Sequence, residues 1–154
     1  MWMKRGLFFL LTALSLWAAP YSVAQKIAPI EVEDQFGTKH SLNTIPKTFI
    51  FVFEKEGSEI VNDCLGKQHR SYLAEHQALY LADISSMPAF VAEAFALPKM
   101  RQYLYTVLLI RDEEMGAKFP AEEGKVTLLR MDGNLIKAIE YVTTADELQK
   151  AIER

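Results

Sequence analysis

Ile30-Glu31-Val32 alternates apolar and polar positions, the period of a strand with one buried face. Asp34-Gln35-Phe36-Gly37 carries turn chemistry, and residues 39–42 return as a second short strand. Residues 48–53, TFIFVF, form an unbroken apolar run of β-formers. Such a run suits a strand covered on both faces, hence a central one. A polar loop over residues 54–57 follows, and Ser58 has the chemistry of an N-cap. Ile60, Val61, Cys64, Leu65, Tyr72 and Leu73 then fall at helical spacing, which predicts one helix from residue 59 to about residue 76. Residues 79–84 predict the next strand. Ser86 is the expected cap of a helix with Pro88 in its first turn. Phe90, Val91, Ala94 and Phe95 are its expected buried stripe, and Pro98 its end.

Residues 105–110 predict a strand and residues 112–117 a polar turn. Residues 126–131 and 135–142 flank Asp132-Gly133-Asn134, a hairpin signal, because Gly and Asn tolerate positive φ. Thr144 with Glu147 three residues on is a capping box, and Ala145, Leu148 and Ile152 give the last helix its inner stripe. Strands alternating with helices imply parallel pairing with right-handed crossovers, and the terminal hairpin adds antiparallel strands. The expected class is α/β: a mixed central sheet with helices on both faces and an N-terminal β-hairpin.

The first residues belong to a different pattern. Lys4 and Arg5 precede an apolar run over residues 6–19, which is shorter than the roughly 20 residues that span a bilayer. Pro20 follows, then Ser22-Val23-Ala24, with small residues at the two positions that signal peptidase reads. The expectation is a signal peptide over residues 1–24, cleaved after Ala24, and a periplasmic domain over residues 25–154 with no membrane span of its own. No cysteine follows the apolar run, so no lipoprotein-type attachment is expected. The whole chain carries 17 Lys and Arg against 20 Asp and Glu. The leader removes two of the bases and no acid, so the remaining domain is mildly acidic with no basic block, a poor match for nucleic acid. A single cysteine excludes an internal disulfide framework and a four-thiolate metal site.

Three segments carry a resemblance. EVEDQFGTKHSL at residues 31–42, YTVLLIRDEEMGAKFP at residues 105–120 and VTLLRMDGNLI at residues 126–136 occur in an order that resembles the thioredoxin superfamily, in its peroxiredoxin-like and cytochrome-maturation branches. The resemblance implies a thioredoxin-like fold and a thiol site where the first buried strand meets its helix, facing a cis-proline loop. At that junction this chain reads Glu56-Gly57-Ser58-Glu59-Ile60, without Cys-x-x-Cys or a single cysteine. Ahead of residue 126 it reads Gly124-Lys125, without proline. The segments ADISSMP and ALPKMR also resemble a narrower group of small exported proteins that sometimes carry a flavin-dehydrogenase label. No Gly-x-Gly-x-x-Gly supports a flavin or nucleotide here, and no cofactor is expected.

Cys64 lies six residues past Ser58, about 9 Å along a helix, beyond the reach of the helix dipole. It shares an apolar face and reads as a buried small hydrophobe; the alternative is a lone thiol for mixed disulfides. His69 and His76, about 10 Å apart on the predicted helix, cannot share one metal ion, and no metal site is expected. In open α/β sheets ligands gather beyond the carboxyl ends of the parallel strands. That edge is expected to bring together Glu56, Gly57 and Ser58, then Ser85, Ser86, Met87 and Pro88, with Lys125 from a third side. The segment over residues 98–103 reads either as a docking loop or as a helix exit whose Met100 and Tyr103 pack inward. The functional expectation is a non-catalytic module for an unknown periplasmic protein or small ligand. The alternatives are a redox protein using Cys64 and a flavin-associated oxidoreductase.

Overall fold

The computed structural model describes residues 19–154; residues 1–18, and with them most of the expected signal peptide, lie outside the described residues. A seven-stranded sheet runs in the order β2-β1-β5-β4-β3-β6-β7. Its strands are β1 (Ile30–Asp34), β2 (Lys39–Leu42), β3 (Thr48–Val52), β4 (Ala78–Asp83), β5 (Leu108–Ile110), β6 (Val126–Asp132) and β7 (Leu135–Val142). β3, β4 and β5 are parallel, whereas β6, β7 and the β1–β2 hairpin pair antiparallel. All five residues of β3 are buried. Its side chains alternate between two cores: Ile50 and Val52 on one face, Phe49 and Phe51 on the other. This is the expected mixed α/β sheet with an N-terminal hairpin.

Helices lie on both faces, unequally. The first face carries α1 (Lys55–Leu65), α2 (Tyr72–Glu75), the crossover helix of residues 89–100 and α6 (Ala145–Ile152). The second carries the single turn α5 (Glu113–Gly116), with Phe119 and the stretch from Tyr21 to Ile27. The capping box forms: Glu147 N–H donates to Thr144 Oγ1, and the Glu147 carboxylate accepts from Thr143 N–H. Gly133 turns the β6–β7 hairpin at φ +56°.

Several local expectations give way to tertiary context. The predicted helix over residues 59–76 is two helices. The stretch Gly66-Lys67-Gln68-His69-Arg70-Ser71 offers no apolar side chain to hold another turn on the sheet. α1 also starts earlier than expected, with Glu54 in the N-cap position, so Ser58 lies inside the helix. The second crossover helix starts at Ala89, after Pro88 rather than after Ser86. Asp83 Oδ1 accepts from Ser85 N–H, and Met87 N–H donates to Ile84 O, so residues 84–87 are spent in a turn.

Pro98 does not end that helix. α3 (Ala89–Val91) opens into a π-turn over Ala92–Ala96 and continues as α4 (Leu97–Met100), with Pro98 in its first turn. A wider turn just before the proline takes up the clash its ring would cause in a regular helix. The extra residue also shifts the phase of the apolar stripe. Ala92 and Leu97 face the core, while Phe90 and Phe95 are 73% and 70% exposed instead of forming the buried stripe. Met100 and Tyr103 pack against the first core, the inward reading of that segment.

The strand expected from residue 105 begins only at Leu108. Gln35, 1% exposed, is the cause: its Nε2 donates to Tyr105 O and its Oε1 accepts from Val107 N–H, in place of a ladder partner. The neighbouring Asp34 accepts from the N–H groups of Phe36 and Thr38 and from His40 Nε2 at 2.8 Å. The expected polar turn at residues 112–117 is α5, capped by Asp112 on Met115 N–H.

Asp34 carries a pH dependence. Burial pushes its carboxyl up, but the bonds from His40, Thr38 and Phe36 outweigh that and hold it below the usual carboxylate value. A depressed carboxylate stabilises the fold above its unfolded pKa, about 3.9, and that share is lost as pH falls below it. Denaturant melts of wild type and Asp34→Ala at several pH values check this. The variant is expected to lose about 1–3 kcal/mol at neutral pH, and the gap is expected to narrow as pH falls below 4.

Candidate functional site

The parallel strands β3, β4 and β5 end at one edge of the sheet, and the segment leading into β6 returns to it. After β3 the chain passes directly into α1. Glu54 stands at the join, and its carboxylate accepts a hydrogen bond from Gly124 N–H, tying the start of α1 to the loop before β6. Gly57 makes the close approach possible. A Cβ there would lie 3.2 Å from the Lys125 carbonyl oxygen and 3.2 Å from Val52 Cγ1, tighter than ordinary contact. Gly124 has φ +73°, a conformation that glycine adopts without strain.

Each predicted residue can be placed against this clasp. Ser58 Oγ donates to Glu54 O at 3.1 Å, so its hydroxyl turns back into the helix rather than standing at its mouth. Glu56 is exposed. Lys125 Nζ pairs with Glu122 at 2.5 Å and lies 5.9 Å from the centre of the Tyr141 ring, so its charge is already partnered. Glu54, Gly57, Ser58 and Lys125 thus come together. Ser85 is tied to Asp83, Ser86 and Pro88 are exposed, and Met87 packs on the first core. Among the described residues no hydrogen bond links residues 85–88 to the clasp.

Cys64 is elsewhere. It is 2% exposed, packed in the first core among α1 and α6 residues. Burial pushes its thiol up to about 11; the carboxylates of Glu153 and Asp146 add to this, and Lys67 opposes it. The two histidines predicted to share a helix do not. His69 precedes α2 and donates to Glu75, while His76 follows α2 and donates to Tyr72 O. Among the described residues no three His, Cys, Asp or Glu side chains are grouped to hold a metal ion.

Behind the clasp lies a polar group that sequence reasoning missed. Asn62, one turn past Ser58 on α1, accepts from Tyr105 Oη at 2.5 Å and donates to Tyr103 Oη at 3.1 Å. Tyr103 and Tyr105 stack at 5.0 Å, and Tyr80 lies 6.2 Å from Tyr105. Burial pushes the Tyr80 and Tyr105 hydroxyls up, so both stay protonated, and Tyr105 can donate to Asn62. The three tyrosines were visible in the sequence, but β4 and the loop before β5 bring them to α1 only through tertiary packing. A separate cleft of about 340 Å³ opens where β1 and β5 diverge, lined by Glu31, His40, Arg111 and Met115 among others; none of the predicted site residues lines it.

No family model matches the chain, and neither does any curated protein sequence. Solved structures do. Peroxidoxin BcpB from Mycobacterium tuberculosis is 17% identical with a TM-score of 0.55, over 85% of this chain and 94% of that one. The thioredoxin domain of a thiol-disulfide oxidoreductase from Bacteroides vulgatus is 14% identical, with a TM-score of 0.53 over 86% and 96%. A SCO1/SenC family lipoprotein from Bacillus anthracis is 10% identical, with a TM-score of 0.52 over 89% and 98%. The chain has the thioredoxin-like fold.

The clasp and the tyrosine group are each expected to show in single substitutions. Glu54→Ala should speed amide exchange at Gly124 and cost about 1–2 kcal/mol, while Glu54→Gln, which keeps an acceptor, should cost less. Asn62→Ala leaves two tyrosine hydroxyls without their partner and should cost about 1–3 kcal/mol in denaturant melts.

Proposed function

We propose that this is an exported thioredoxin-fold protein that binds a partner protein or small ligand at the carboxyl edge of its sheet and performs no thiol chemistry there. One observation carries the reading. The junction of β3 and α1 holds a carboxylate locked onto the Gly124 backbone, while Cys64 lies inside the core with its thiol pushed up to about 11. A thiolate is the reactive form, and at that value roughly one thiol in a thousand is ionised at pH 8. Glu56, Ser86 and Pro88 supply exposed groups at the same edge, and Ser58 and Lys125 frame the clasp.

Export is part of the proposal. It is supported by the order of basic start, apolar run and small residues at positions 22 and 24. The fold also occurs in a protein described as a lipoprotein. Among the described residues no helix is long and apolar enough to cross a membrane. Neither the redox reading through Cys64 nor the flavin reading gains an observation that favours it.

Thiol labelling tests the chemistry. A neutral-pH disulfide reagent is expected to modify Cys64 in the native, reduced protein at least about a hundred-fold more slowly than in urea. Fast labelling of the native protein would overturn the reading in favour of a Cys64 redox protein.

A further inference from the structure

The bond expected to be cut on export, Ala24–Gln25, is held from both ends by one residue of β7. Ala24 N–H donates to Ile136 O at 2.8 Å, and Ile136 N–H donates to Gln25 O at 2.9 Å. Lys26 bridges Leu135, and Ile27 N–H donates to Asn134 O, so the pairing continues past the bond. Before it, Ser22 and Gln25 close a turn twice. Gln25 N–H donates to Ser22 O at 3.2 Å, and Ser22 N–H donates to Gln25 Oε1 at 3.1 Å. Ala24 sits in this turn at φ +70°, far from extended. Tyr21 anchors the segment: its N–H donates to Lys118 O at 2.7 Å, and its ring meets Phe119 edge-on at 5.6 Å. Phe119 in turn stacks on Phe51 of the central strand.

A peptidase draws its substrate into an extended strand and uses the backbone groups flanking the scissile bond. Here those groups are committed to Ile136, and the residues before the bond are folded into a turn. We propose that Ala24–Gln25 is a processing site that folding closes. It is cleaved readily in the unfolded chain and protected in the folded one, and a chain that folds uncut keeps residues 19–24 as a strap over Phe119. The step is a hydrolysis. The Ala24–Gln25 amide bond breaks, with water supplying hydroxyl to the Ala24 carboxyl and a proton to the Gln25 amine. The peptidase provides the catalytic groups. In the folded chain the rate follows the fraction of molecules whose strap is undocked. The proposal rests on the expected leader and is independent of the binding function.

The test gives a bacterial signal peptidase two substrates in detergent micelles: a synthetic peptide of residues 12–32 and the folded full-length chain. Mass spectrometry of the products is expected to show the peptide cut after Ala24 and the folded chain cut there about ten-fold or more slowly. Phe119→Ala removes the ring beneath Tyr21 without touching the residues the peptidase reads, and should recover much of the rate. Amide exchange in the folded wild type gives a readout that does not depend on the variant folding, with slow exchange expected at Ala24 and Ile27. Equal cutting of peptide and folded chain, no cutting of the peptide after Ala24, or unprotected Ala24 exchange would each overturn the proposal.

Discussion

The burial of β3 on both faces is the constraint on which the rest of the molecule depends. Its five residues have no solvent face, so the chain must supply a neighbour on each side and a cover above and below. β4 and β6 supply the neighbours, one parallel and one antiparallel. The parallel partner requires a crossover, and α1 is that crossover, laid on the face of Ile50 and Val52. The opposite face, with Phe49 and Phe51, is closed by Phe119 and by the N-terminal segment rather than by a long helix. Each such aromatic side chain withdrawn from water contributes about 1.5–3 kcal/mol.

That arrangement fixes an edge where α1 begins beside the loop before β6. The same thioredoxin-like fold occurs in the mycobacterial peroxidoxin and in the Bacteroides thiol-disulfide oxidoreductase domain. Here the edge is occupied by the hydrogen bond from Gly124 to Glu54, by the close approach at Gly57 and by a lysine already paired with Glu122. The tyrosine group and Asn62 fill the space behind it with neutral, mutually satisfied hydroxyls. The interactions that hold this edge are structural ones, and a fold of this kind does not by itself fix the chemistry placed on it.

Much of the fold was legible in the sequence because strong local signals agreed with the tertiary solution. The unbroken run at residues 48–53, the Asp-Gly-Asn turn and the Thr144–Glu147 cap each form close to where the pattern puts them. The failures share a cause. A buried side chain can replace a ladder, as Gln35 does ahead of β5, and a π-turn can carry a helix through Pro98 and leave Phe95 facing outward. Neither event has a periodic signature. At the candidate site, the sequence placed Gly57, Ser58 and Lys125 at one edge because the fold class brings those segments together. The Glu54 clasp and the Asn62 group were missed because each depends on residues far apart in the chain.

The proposed absence of sulfur chemistry in this fold is measured by turnover. Purified wild type and Cys64→Ala would be compared for consumption of hydrogen peroxide and for reduction of a protein disulfide, each with excess dithiol. Equal, background rates for the two proteins are the predicted result. Turnover by the wild type that disappears in Cys64→Ala would contradict the account.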